Sequence, residues 1–214
     1  MEFKLQEQVL QTLCASDEKL AMLIHSMGDY ELNVRTDYFP SLVRSIIGQQ
    51  LSVKVAQTIW QRTLTYCKNI SPGDLISKTD DELRSLGISR TKARYIKDLS
   101  QKLLNGELNL NVFDTLPDHE VIGRLIMVKG IGIWTAEMFL IFSLGRLDVF
   151  STGDIGLKRA IQWLYGLKQI PSDPIMKEYA MKWIPYRSVA SLYLWEIINQ
   201  GLIRLEPKNL EPKF

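Results

Sequence analysis

The chain has 214 residues, 46% of them hydrophobic and 23% charged, and a formal net charge of +2. That length can bury a substantial core in one large domain or two small lobes, and the mixture is ordinary for a globular protein. So small a charge identifies no partner, because a local basic patch can sit on a near-neutral body. Two cysteines, Cys14 and Cys67, are too few for an iron–sulfur cluster and read as free thiols. The isolated His25 and His119 offer no zinc spacing, so no metal or cofactor is expected. The opening MEFKLQEQVL is charged and amphipathic, unlike a signal peptide. No apolar run approaches the ~18 residues of a membrane span. A reduced, intracellular protein is expected.

Periodicity is helical almost everywhere, and no segment carries a convincing strand alternation. Leu5, Val9, Leu10 and Leu13 mark one face of a first helix. Ser16 starts a second, which Gly28 ends. A polar stretch, residues 31–37, leads to Tyr38-Phe39-Pro40, and from Ser41 the residues Leu42, Val43, Ile46 and Ile47 predict a helix stopping near Gly48. Ser52 is placed to cap the next, with Val53, Ala56, Ile59, Trp60 and Leu64 inward. Pro72 opens a short helix, Thr79 with Glu82 has capping-box spacing, and Ser89 begins a long basic-faced helix ending at Gly106. Pro117 and Asp118 open another. Residues 134–144 are nearly all apolar but too short for a bilayer, which predicts a central buried helix. Helical spacing resumes over 157–164, 175–183 and 188–199, and the tail from Pro207 reads as frayed. About ten short helices joined by short loops imply an all-α globule.

The run Val128-Lys129-Gly130-Ile131-Gly132, then Trp134-Thr135-Ala136, is the most informative feature. Two glycines two apart allow a hairpin whose backbone comes close to a partner. The helix behind it begins with unpaired N–H groups that suit a phosphate, and Lys129 sits in the same turn. Asp154 follows downstream, where it reads either as a helix cap or as a carboxylate acting on what the hairpin presents.

At these residues the chain resembles the helix-hairpin-helix DNA glycosylase superfamily, and more closely its DNA-3-methyladenine glycosylase II branch. The stretches Ile46-Ile47-Gly48-Gln49-Gln50-Leu51-Ser52, Gly87-Ile88-Ser89-Arg90-Thr91-Lys92-Ala93 and Trp183-Ile184-Pro185-Tyr186-Arg187-Ser188-Val189-Ala190 extend the resemblance over residues 40–195. It implies a two-lobed helical fold, with residues 38–146 carrying the hairpin, residues 1–37 together with 147–214 forming the second lobe, and the active site in the cleft between. It implies a monofunctional enzyme that flips alkylated, cationic purines such as 3-methyladenine out of duplex DNA and hydrolyses the N-glycosidic bond, leaving an abasic site. Double-stranded DNA is the implied partner, with no membrane, and the protein is expected to act as a monomer.

Residue by residue, the resemblance puts Asp154 beside the developing sugar cation, and Trp134 and Tyr186 on the walls of the base pocket. Lyase-competent members carry a lysine where Trp134 stands, and an indole forms no Schiff base, so no strand nick is expected. Gln50 and Leu51 fall at the wedge that fills the gap left by the base, with Gln49 near the orphaned partner base. The amides of Gly130 and Gly132 grip phosphate, with Lys129 standing where the family often has Pro. Arg90, Lys92 and Arg94 form a second basic turn near the DNA backbone. Tyr186 replaces the Trp of close bacterial relatives, and Gly153 replaces a frequent Pro. The alternatives are a glycosylase for oxidised or deaminated bases, disfavoured by Trp134 and the missing cysteine cluster, and a non-catalytic hairpin module that docks DNA.

Overall fold

The computed structural model describes residues 2–4, 7–28, 30–67 and 69–204. The Leu5 end of the first expected helix and the tail from Pro207 lie outside them. Contacts divide the chain into two compact units, Met1–Val34 with Gly145–Phe214, and Arg35–Leu144.

The first unit opens with β1 (Glu2–Lys4), α1 (Glu7–Ser16), α2 (Glu18–Met27) and β2 (Glu31–Asn33). The two strands pair antiparallel, Phe3 opposite Leu32. This corrects the strand-free expectation: three-residue strands are too short to show an alternation. Asp17, not Ser16, caps α2, its carboxylate accepting from the Lys19 and Leu20 amides. The unit continues with α10 (Ile155–Tyr165), α11 (Asp173–Met181) and α12 (Arg187–Asn199). Gly166 at φ 68° ends α10 in the left-handed conformation that glycine adopts without a Cβ penalty. The core gathers Leu13, Leu20 and Leu23 with Leu157, Ile161, Trp183, Tyr193 and Ile197. Cys14 is a half-buried free thiol.

The second unit runs α3 (Tyr38–Gly48), α4 (Val53–Cys67), α5 (Pro72–Ser77), α6 (Asp80–Ser85), α7 (Arg90–Leu104), a 3-10 turn at Leu110–Thr115, α8 (Asp118–Leu125) and α9 (Ile133–Phe142). Its helix starts agree with the sequence: Pro72 opens α5, Ser89 accepts from a backbone amide at α7, and Thr79 with Glu82 makes both bonds of a capping box. α3 packs on α4 and α7, α5 on α7, and α8 on α9. The buried face of α4 is Ile59, Trp60, Thr63 and Cys67. Val53, expected inward, is 84% exposed. It is the first residue of the helix, ahead of the turns that meet the core. α9 buries Thr135, Ala136, Phe139, Leu140 and Ile141, so the apolar 134–144 stretch is a central helix as expected. No helix of the described residues is long and apolar enough to cross a membrane.

Candidate functional site

The hairpin between α8 and α9 belongs to the second unit. Val128 and Ile131 are buried and anchor it, while the turn between them faces out. Gly130 sits at φ 83°, and a Cβ there would lie 2.0 Å from the Tyr95 ring, so both backbone and space demand glycine. Gly132 differs: at φ −96° its backbone is extended, and a Cβ would meet open space. Among the described residues, the amides of Gly130 and Gly132 meet no protein acceptor. The turn is held from below by Asp98 on α7, whose carboxylate accepts from the Lys129 amide at 2.9 Å. The Lys129 side chain is 76% exposed, its ammonium 4.0 Å from Asp98. The result is a loop with two donors and an exposed cation, a geometry suited to an anion's oxygens.

A second turn lies beside it. The Leu51 amide donates to the Gly48 carbonyl at 3.2 Å. Gln49 is at φ −52°, ψ 132° and Gln50 at φ 57°, which makes Gly48 to Leu51 a type II β-turn. That turn ordinarily wants Gly at its third position. A residue with a Cβ in the left-handed region costs ~1–2 kcal/mol, so the neighbours must hold Gln50 there. Two do. Lys92 donates from Nζ to the carbonyls of Ile47 at 2.8 Å and Gln49 at 2.7 Å. Gln49 donates from Nε2 to the Gly130 carbonyl at 2.8 Å. Burial pushes the Lys92 ammonium below its ordinary range.

Lys92, expected near the DNA backbone, and Gln49, expected near the orphaned base, both donate to protein carbonyls here. The basic turn retains Arg90 and Arg94, both exposed. Gln50 is exposed and Leu51 is 37% exposed. Together with Trp134, which is 47% exposed at the start of α9, they line a groove of about 500 Å³ that also includes Arg35 and Arg44.

Asp154 lies in the first unit, 8% exposed, at the N-cap of α10. Its Oδ1 accepts from the Leu157 amide at 2.8 Å. The cap and the candidate catalytic carboxylate are therefore one group, and the positive end of the helix favours an anion there. Gly156 makes room for it: a Cβ at that position would lie 3.0 Å from Asp154 Oδ1 and 3.5 Å from the Trp195 ring.

The segment leading to Asp154 is stitched to the start of α12. Arg187 donates from Nε and from Nη2 to the two carboxylate oxygens of Asp148, at 2.7 and 3.0 Å, in bidentate fashion. Ser188, fully buried, accepts the Val149 amide at 2.9 Å, donates to the Val149 carbonyl at 3.2 Å, and gives its own amide to Leu147 at 2.9 Å. Tyr186 is the residue just before α12, half-buried against the core of this unit. Asp154 and Tyr186 thus stand on two elements tied through Arg187 and Ser188. Neither Arg187 nor Ser188 stands out in the sequence, although both fall inside the Trp183 to Ala190 stretch that carries the resemblance. Asp98 and Tyr95, which seat the hairpin, gave no sequence signal.

The HhH-GPD superfamily base excision DNA repair protein family matches residues 43–186. A DNA-3-methyladenine glycosidase from Bacillus halodurans is 36% identical and superposes with a TM-score of 0.84 over 98% of each chain. A 3-methyladenine DNA glycosylase of Schizosaccharomyces pombe, solved in complex with abasic DNA, is 27% identical with a TM-score of 0.82 over 90% of this chain and 97% of that one. A Bacillus subtilis (strain 168) relative, 34% identical over 166 residues, is longer: the match takes in 74% of this chain and 58% of that one. With a predominantly helical fold, a glycine hairpin seated on α7 and a family match running from α3 to Tyr186, the chain belongs to the HhH-GPD superfamily of base excision DNA repair proteins.

Proposed function

We propose that the protein is a monofunctional DNA glycosylase that extrudes alkylated, cationic purines such as 3-methyladenine from duplex DNA and hydrolyses their N-glycosidic bond. The observation that carries this is Asp154, a nearly buried carboxylate held at a helix N-terminus. A cationic purine is already a good leaving group. As its bond to the sugar breaks, the electron pair departs with the base and the deoxyribose gains oxocarbenium character. A carboxylate shielded from water stabilises that charge far better than it would in bulk solvent. It can also orient a water and take its proton as the water adds to the sugar. The products are the free base and an abasic site.

The hairpin amides of Gly130 and Gly132, with Lys129, grip a backbone phosphate. Arg90 and Arg94 add contacts along the strand. Gln50 and Leu51 fill the gap that extrusion leaves, and this step favours damaged bases because their stacking and pairing are weakest. Trp134 and Tyr186 wall the extruded base, where a cationic purine over an aromatic face gains of order 1–2 kcal/mol. Trp134 cannot act as an amine nucleophile, so the abasic strand stays intact. Its substrate places the protein inside the cell, and one copy of the chain supplies every residue named.

The test is base release from methylated duplex DNA by the wild type and by Asp154→Asn. The wild type releases alkylpurines and leaves alkali-labile but uncut strands. The variant loses about 10²–10³-fold in rate, the scale of one transition-state electrostatic contact. A wild type that releases no base, or a variant with full activity, refutes the proposal.

A further inference from the structure

The basic residues on α7 divide into two kinds. Arg90 and Arg94 face solvent. Lys92, between them, reaches across to two carbonyls 43 and 45 residues away in sequence. Ile47 is in the last turn of α3, where carbonyls lack intrahelical partners and a cation is favoured. The Gln49 carbonyl belongs to the strained turn itself. Lys92 therefore joins the end of a helix to the peptide that precedes Gln50. On the other side of that turn, the Gln49 side-chain amide is latched to the carbonyl of Gly130, the hairpin glycine packed closely against the Tyr95 ring. The Gly48 to Leu51 turn is thus fixed at two points, to the N-terminus of α7 and to the phosphate-binding hairpin.

We propose that Lys92 is a positioning residue for base extrusion: by holding the Ile47 and Gln49 carbonyls it keeps the turn in the left-handed conformation that presents Gln50 and Leu51, with Gln49 tying that turn to the hairpin. This rests on the glycosylase reading for its consequence in catalysis, but not for its structural content. A phosphate-binding lysine and a turn-holding lysine differ in what their removal does. The first weakens binding to every duplex and lowers the salt dependence by about one ion. The second leaves binding and its salt dependence in place and impairs only the step in which the base leaves the stack.

The experiment uses the full chain with Lys92→Met, which keeps the side chain's length and removes its donors. In the free protein, amide hydrogen exchange at Leu51 accelerates about tenfold or more, while exchange of the buried α3 amides of Val43 and Ile46 stays within about threefold of the wild type. On DNA, the salt slope of duplex affinity is unchanged. Single-turnover base release from a paired lesion falls about tenfold or more, and is restored to within about threefold when the lesion lies opposite an abasic gap, where extrusion is nearly free. Gln49→Leu, which leaves Lys92 and every backbone carbonyl in place, shows the same pattern and serves if Lys92→Met does not fold. Unchanged Leu51 exchange, a salt slope reduced by about one, or equal loss on paired and unpaired lesions overturns the proposal. Because the exchange measurement involves no DNA, it judges Lys92 even if the wild type releases no base.

Discussion

Replacing Gly130 with alanine should damage the hairpin from two directions. At φ 83° the new Cβ enters a backbone region that costs ~1–2 kcal/mol for an L-residue. It also arrives 2.0 to 2.4 Å from three carbons of the Tyr95 ring. That ring belongs to α7, whose other side is fixed by buried Ala93, Ile96 and Leu99, so it cannot simply withdraw. Forcing extra atoms into such packing costs ~1–3 kcal/mol. The sum is about 2–5 kcal/mol, provided the two costs are independent. Urea denaturation of Gly130→Ala reads it directly. The double variant Gly130→Ala, Tyr95→Ala removes the ring and should recover the packing part while keeping the backbone part. Gly132→Ala is the control. Its backbone is extended and its surroundings are open, so stability should stay within about 0.5 kcal/mol of the wild type. Its methyl group nevertheless stands where a phosphate would approach, so duplex affinity measured by anisotropy should drop. A Gly130→Ala protein as stable as the wild type would refute the account of the hairpin.

Three further outcomes follow from the first unit and from α6. Asp154→Ala removes the cap of α10 as well as the charge, and should unfold about 1 kcal/mol more easily than Asp154→Asn, which still accepts from Leu157; equal urea midpoints would separate the cap from the carboxylate. Ser188→Ala strands the buried Val149 amide and should cost ~1–3 kcal/mol, whereas Ser151→Ala removes a buried hydroxyl that has no protein partner and should be neutral or stabilising in the same assay. Glu82, hydrogen-bonded by Tyr66 and Thr79, is lowered from an ordinary 4.5 to about 2. A carboxyl depressed on folding stabilises above its unfolded value and loses that contribution on acidification. Hydrogen-exchange protection in α6, taken relative to the intrinsic rate at each pH, should therefore fall as pH drops from 4.5 towards 2, and Glu82→Gln should abolish that dependence.

What could be read in advance was local. Ser89, Thr79 with Glu82, and Gly28 act within one helical turn, so their residue types alone announce where helices start and stop. The hairpin glycines and Asp154 stood out for the same reason. What escaped reading was long-range pairing. Nothing in the spacing of Lys92 says that Ile47 and Gln49 lie above it, and a lysine on a basic turn looks identical whether it faces a phosphate or a carbonyl. Gln49 and Gly130 are 81 residues apart. Asp148 reads as one more acid in a loop until α12 brings Arg187 alongside. Val53 departs from its expected inward place because apolar periodicity reports a helix face without reporting where the supporting core ends.

The stitching of the segment before Asp154 has a thermal consequence. Its order comes from contacts within the folded chain, so under the proposed function a nucleotide would meet Asp154 already held and binding would freeze little additional motion. The same few bonds then carry both persistence of shape and speed of reaction. Warming that loosens Asp148 from Arg187 should silence the enzyme below the temperature at which its helices melt, and recooling should bring it back.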